Sequence, residues 1–137
     1  MVQNLVHDPM LLSMPSQPAT KADAAVAQDL LDTLSAHRET CVGMAANMIG
    51  VRKRIIVFFD GSKAVLMYNP EIIAKAVPFE TEEGCLSLLG APRRTTRWQQ
   101  ITVRYQNSAF QQKTARFQGF IAQIIQHEID HCNGVLI

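Results

Sequence analysis

Nothing in the 137-residue sequence approaches the run of about 18 apolar residues that a membrane-spanning helix needs. Its N-terminus also lacks the charged-then-apolar pattern of a secretory leader. These absences predict a cytoplasmic location with no membrane partner. Charge of one sign is lacking too, since 13 Lys and Arg stand against 12 Asp and Glu for a formal net charge of +1. No basic field is therefore expected to draw the chain to nucleic acid. Cysteine is sparse and odd in number, at three, which argues against a disulfide framework and leaves a thiol free to bind metal. Histidine is equally sparse, with four in the chain, so where they fall is informative.

What is present fits a single globular domain over residues 1–137, with 47% hydrophobic and 18% charged residues. Pro9, Pro15 and Pro18 predict an extended lead-in over residues 1–19 that hugs the surface. Thr20 or Asp23 then caps a helix running to about residue 37, with Val26, Leu30, Leu31 and Leu34 on its apolar side. Residues 54–59 and 64–68 flank Asp60-Gly61 and read as a hairpin. Residues 71–78 read as another strand, and 101–105 with 113–117 as a second antiparallel pair. From Gly119 the period changes. Phe120, Ile121, Ile124, Ile125 and Ile129 recur at helical spacing, and Asn133-Gly134 supplies the stop. Helix, strands, then helix predicts an α+β fold of antiparallel strands between an N-terminal and a C-terminal helix.

Two of the four histidines lie on that last helix as His127-Glu128-Ile129-Asp130-His131. Positions i and i+4 stand on one helix face, so both imidazoles can close on one metal ion. Glu128 follows the first of them, placed to take a proton from a water that the metal activates. A catalytic site of this kind takes a third protein ligand and keeps a position open for water. Only six residues follow His131, and apart from Cys132 none is a plausible ligand, so the third ligand is expected upstream. Cys85, in Glu83-Gly84-Cys85-Leu86-Ser87, is the strongest candidate, and one thiolate with two imidazoles suits zinc or ferrous iron. The competing role for an isolated cysteine is that of a small buried hydrophobe.

Three segments taken together, Gly43-Met44-Ala45-Ala46 ending at Ile49-Gly50, Glu83 to Ser87, and Gln126 to Leu136, resemble the signature segments of peptide deformylase in order and spacing. The resemblance implies a metallohydrolase that removes the formyl group from N-formylmethionyl peptides of nascent proteins and releases formate. Nascent chains at the ribosome would be among its substrates. It implies that Cys85, His127 and His131 hold one divalent metal, natively ferrous iron, with zinc or nickel as alternatives. Such an ion lowers the pKa of water toward about 7. Glu128 would take the proton and pass it to the departing amine, and the backbone N–H of Leu86 would face the developing oxyanion. Gly43, Asn47 and Met48 fall in the segment assigned to substrate binding, and Glu83 would order the segment around the metal.

Two departures from the family pattern stand out. The usual Gly-x-Gly-x-Ala-Ala-x-Gln has Cys41 at its first glycine here and Met48 at its glutamine. A thioether cannot donate a hydrogen bond, and losing one oxyanion donor costs about 10²–10³ in kcat. Asn47 carries the missing amide but is expected to point elsewhere. The alternative function is thus a deformylase-like protein of weak or lost activity that binds metal and a peptide or other ligand. The chain also stops three residues after Gly134, so a C-terminal extension of the kind used for ribosome docking in some members is not expected.

Other residues read as structural. Cys132 sits about 100° around the helix from His131 and is expected in the core. Asp130 is either an exposed helix residue or a partner that orients a ligand. Arg93, Arg94 and Arg97 read as solvated charges at a strand end, Trp98 as an anchoring aromatic, and His7 and His37 as surface histidines. Met44 and Met48 either floor an apolar pocket or pack in the core.

Overall fold

The computed structural model describes all of residues 1–137 except Leu86 and Leu89. The lead-in is not wholly extended. Asp8 accepts from Met10 N at 2.9 Å and Pro9 takes the first helical position, so a one-turn helix, α1 (Pro9–Leu12), forms there. Thr20 and Asp23 both act at the next helix start. The Thr20 hydroxyl accepts from Ala22 N at 3.2 Å, and the Asp23 carboxylate accepts from Thr20 N at 2.8 Å. This reciprocal cap opens a 3₁₀ turn (Lys21–Asp23) that continues as α2 (Ala24–Ala36).

The strands β1 (Gly43–Ala45), β2 (Ile55–Asp60), β3 (Lys63–Glu83), β4 (Arg93–Gln106) and β5 (Gln112–Gln118) form one antiparallel sheet in sequence order. β2 explains why its sequence is apolar without a break. Side chains alternate across a strand. Ile56 and Phe58 enter one core with Met67, Ile101, Val103 and the C-terminal helix, while Ile55 and Val57 enter a second with Leu30 and Leu34 of α2. Both faces are covered, so neither has a polar set.

The expected break near residue 70 is a bulge within a single 21-residue strand. Asn69 takes φ 50°, and the register with β4 shifts between Tyr68 and Glu71 and again between Ile72 and Ala74. The bulge accommodates Pro70, which has no N–H to give the ladder. Asn69 also ties down the lead-in, accepting from Ala19 N at 2.7 Å and donating to Ala19 O at 3.0 Å.

The last element, α3 (Gly119–Cys132), lies on the sheet with Ala122, Ile125, Ile129 and Cys132 in the first core. Its end is fixed by close packing. Gly134 takes φ 75°, and a Cβ there would sit 2.4 Å from the Ser13 carbonyl oxygen. Among the described residues no helix is long and apolar enough to cross a membrane.

Candidate active site

The distal end of the β3–β4 pair sets Glu83 opposite Arg93, and Cys85, two residues past Glu83, lies beside His127 and His131 of α3. One ligand atom from each of Cys85, His127 and His131 can be chosen so that all lie within 4.8 Å of one another, a group that could hold a metal ion. The two imidazoles stand edge to face at 4.6 Å between centroids. A thiolate and two imidazoles are a donor set suited to a divalent transition metal.

Each histidine is oriented from behind. His127 donates from Nδ1 to Glu83 Oε1 at 2.7 Å. His131 donates from Nε2 to the Ile137 carbonyl oxygen at 3.2 Å, and its Nδ1 lies 3.0 Å from Glu128 Oε1. Such partners fix ring orientation and tautomer. Glu83 is the hub of a larger network. It accepts from Arg97 Nη2 at 2.7 Å, from Arg97 Nε at 3.0 and 3.1 Å, and from Gln123 Nε2 at 2.8 Å. Arg97 Nη1 continues to Asp130 at 2.6 Å.

These contacts shift the charge states of the side chains they join. Burial works against ionised Glu83, but hydrogen bonds from His127, Arg97 and Gln123 outweigh it and bring the carboxyl down to about 2. Burial likewise opposes the Cys85 thiolate, and hydrogen bonds from His127 and His131 overcome it to bring the thiol to about 6. The histidines respond in kind. Burial disfavours their charged forms, yet Cys85 and Glu83 lift His127 to about 9, while Glu128 and Cys85 hold His131 well above the usual value. A divalent cation would release the imidazolium protons and take over their role of balancing the thiolate.

Glu128 is 4% exposed and reaches the edge of β1. Gly43 permits this. A Cβ there would fall 2.7 Å from Ile124 Cγ2 and 3.1 Å from Glu128 Oε2. The resulting cavity of about 590 Å³ contains Cys85, His127 and Glu128, with Val42, Met48, Leu88, Phe120 and Ile124 among its apolar wall residues. That volume suits a small ligand. Gly43 and Met48 are in the lining; Asn47 is not. Its amide Nδ2 donates to the His131 carbonyl at 2.9 Å, so its side chain is committed to the end of α3. Met48 is buried, and its sulfur accepts from Ala45 N at 3.5 Å. Leu86 lies outside the described residues.

Arg97 departs from the expectation of a solvated charge. It is 3% exposed, because it lies between Glu83 at the end of β3 and Asp130 of α3 and neutralises both. Asp130 is not idle, but its partner is Arg97 and not one of the candidate ligands. Arg94 does pair in the open, with Glu80 at 2.8 Å. Gln126, given no role by the sequence reading, accepts from Trp98 N and donates to Trp98 O, both at 2.8 Å, locking α3 to β4. Cys132 is buried in the core. Cys41 borders the cavity and donates to Gly43 O at 2.9 Å; burial first, then the nearby Glu128 charge, push its thiol up to about 12. His37 donates to Thr33 O at 3.0 Å and His7 to Ser87 O at 3.1 Å, so both histidines secure backbone.

Comparison with known proteins is consistent along the whole chain. The family model described as polypeptide deformylase matches residues 3–137. A peptide deformylase of Clostridium beijerinckii is 52% identical over 137 residues, covering 100% of both chains. One from Halothermothrix orenii is 36% identical over 96% of this chain and 86% of its own. Among solved structures, the peptide deformylase of Legionella pneumophila superposes with a TM-score of 0.89 at 31% identity, over 99% of this chain and 83% of that one. The Thermotoga maritima enzyme gives 0.88 at 30% identity, over 99% and 95%.

Proposed function

The chain belongs to the peptide deformylase family, metallohydrolases that remove the N-formyl group from nascent peptides, and on that premise we propose which of its residues do the work. Cys85, His127 and His131 hold the single divalent metal that the family uses, and Glu128 is the general base and acid. The observation that carries this assignment is the convergence of three ligand atoms within 4.8 Å, with Cys85 and His127 lining the same cavity as the buried Glu128 carboxylate. When bound, the ion acidifies water and polarises the formyl carbonyl. Glu128 accepts the proton of the attacking water and returns it to the amine that leaves. Glu83 keeps the His127 ring in one tautomer, and Gly43 leaves room for the Glu128 carboxylate beside β1.

N-formylmethionyl peptides are the substrate. The Acinetobacter baumannii peptide deformylase, similar in fold at a TM-score of 0.88 and 27% identity, was solved with Met-Ala-Ser bound. A peptide of that class suits the apolar wall of Val42, Met48, Leu88, Phe120 and Ile124. Ferrous iron is the native ion in this reading, with zinc or nickel able to occupy the same donors. The setting is the cytoplasm, where nascent chains leave the ribosome. A second reading, ligand binding with slow turnover, is favoured by Met48 standing where a hydrogen-bond donor is usual.

The test is formate release from formyl-Met-Ala-Ser by anaerobically iron-loaded protein, beside Glu128→Gln at equal metal content. Wild type should release formate, and the variant should lose at least about 10² of that rate. Equal rates would remove Glu128 from the mechanism. No release by fully loaded wild type would favour the binding reading.

A further inference from the structure

Gln123 sits one helical turn before His127 and belongs to two structures at once. Its Nε2 donates to Glu83 Oε2 at 2.8 Å, and its side chain forms part of the cavity wall. Its neighbours in that wall are largely apolar, among them Val42, Leu88, Phe120 and Ile124. The other polar residues of the wall outside the Cys85, Glu83, His127 and Glu128 group, Thr40 and Glu82, are exposed at the rim, whereas Gln123 is half-buried.

The amide is also held in place. Glu83, its anchor, is itself fixed by Arg97 and His127, so swinging Gln123 out would forfeit a charge-assisted hydrogen bond in a poorly solvated site. A primary amide has two N–H donors and one acceptor oxygen. One N–H is spent on Glu83. The second N–H and Oε1 have no protein partner among the described residues. An alkyl chain seated against them displaces their water and returns no hydrogen bond, whereas a polar tip restores one.

We infer that Gln123 is a specificity-determining residue that lets the enzyme accept a formylated first residue of methionine's length ending in a hydrogen-bonding group, such as methionine sulfoxide, alongside methionine. The sulfoxide oxygen is a strong acceptor and pairs with the free N–H of Gln123. This inference rests on the proposed reading in one respect, that the first side chain of the peptide enters this cavity.

The experiment measures kcat/KM of metal-loaded enzyme for formyl-Met-Ala-Ser and its sulfoxide, in wild type and in Gln123→Met. The readout is the sulfoxide-to-methionine ratio, which cancels any loss common to both substrates through Glu83. Wild type should keep the two within about tenfold, and Gln123→Met should lower the ratio by about tenfold or more, through KM. Wild-type discrimination beyond about a hundredfold, or an unchanged ratio in the variant, would overturn the inference. The wild-type ratio decides alone if Gln123→Met does not fold. Competition binding of the products, Met-Ala-Ser and its sulfoxide, separates this inference from the catalytic one. Comparable binding with no formate release supports it while defeating turnover, and binding of neither peptide defeats the cavity assignment and the inference with it.

Discussion

Arg97→Met removes the cation at the centre of the network while nearly keeping its length. Arg97 is 3% exposed and bonds Glu83 through Nε and Nη2 and Asp130 through Nη1. Taking one partner from a buried ion pair costs about 3–5 kcal/mol. The low end applies here, because Glu83 keeps His127 and Gln123 as donors, and the Asp130 side chain at 27% exposure can turn to water. A second route gives a similar size. Glu83 lowered from 4.5 to about 2 contributes on the order of 3 kcal/mol to stability at neutral pH, shared among all its partners. For a chain of this length that is a fall in Tm of about 10 °C. The sign of the pH dependence follows from the lowered pKa. The stabilisation is complete above about 4.5 and is lost as pH falls through about 2. Without Arg97 the carboxyl moves up, so the gap between wild type and variant should be full at neutral pH and narrow below about 4.5. Thermal unfolding by circular dichroism between pH 3 and 7, with and without chelator, measures this. A fall under about 3 °C at pH 7 would show the network to be dispensable. A gap that does not narrow in acid would assign the loss to packing rather than charge.

Gly43→Ala should cost about 1–3 kcal/mol in stability and lower kcat by about tenfold or more, since the new methyl meets Ile124 Cγ2 at 2.7 Å and Glu128 Oε2 at 3.1 Å. Unchanged kcat in steady-state kinetics would mean that Glu128 does not depend on this close approach. Met48→Gln places a donor in the cavity wall and should raise kcat by up to about 10²–10³ with little change in KM; no gain at equal metal content would dismiss the missing donor as the limit on rate. Cys85→Ser should reduce bound metal by at least about tenfold, read by elemental analysis after dialysis, and undiminished metal would remove Cys85 from the ligand set.

Local chemistry was legible in the sequence, and long-range pairing was not. His127, Glu128 and His131 are joined by helical geometry alone, so spacing placed them on one face. The apolar runs of β2 and α3 likewise announced a buried strand and an amphipathic helix. The strands expected over 64–68 and 71–78 leave Asn69-Pro70 between them. Only the continued pairing with β4 turns that gap into a bulge. Arg97 was misread for a related reason. Arg93, Arg94 and Arg97 look alike in sequence, but Arg97 is the one that reaches both Glu83 and Asp130. The carboxylates that bury Arg97 lie 14 and 33 residues away. Gln126 hides similarly, since it pairs with the backbone of Trp98, 28 residues upstream.

The segment around Met48 joins both kinds of information. A thioether offers no N–H, as its residue type alone establishes. Whether Asn47 compensates depends on direction, which spacing cannot supply. Its Nδ2 is bonded to the His131 carbonyl at 2.9 Å, and its side chain is buried. Turning that amide into the cavity would take one of two donors from the carbonyl of a proposed metal ligand, leaving it only Gly134 N at 3.0 Å, at about 0.5–1.5 kcal/mol. Met48 cannot replace the donor, and Asn47 replaces it only by loosening His131. Oxyanion stabilisation in the proposed mechanism therefore falls to backbone N–H groups and the divalent ion. A rate limited in that way should rise with Met48→Gln and gain nothing from Asn47→Gln, whose longer amide still starts from the wrong side of the turn.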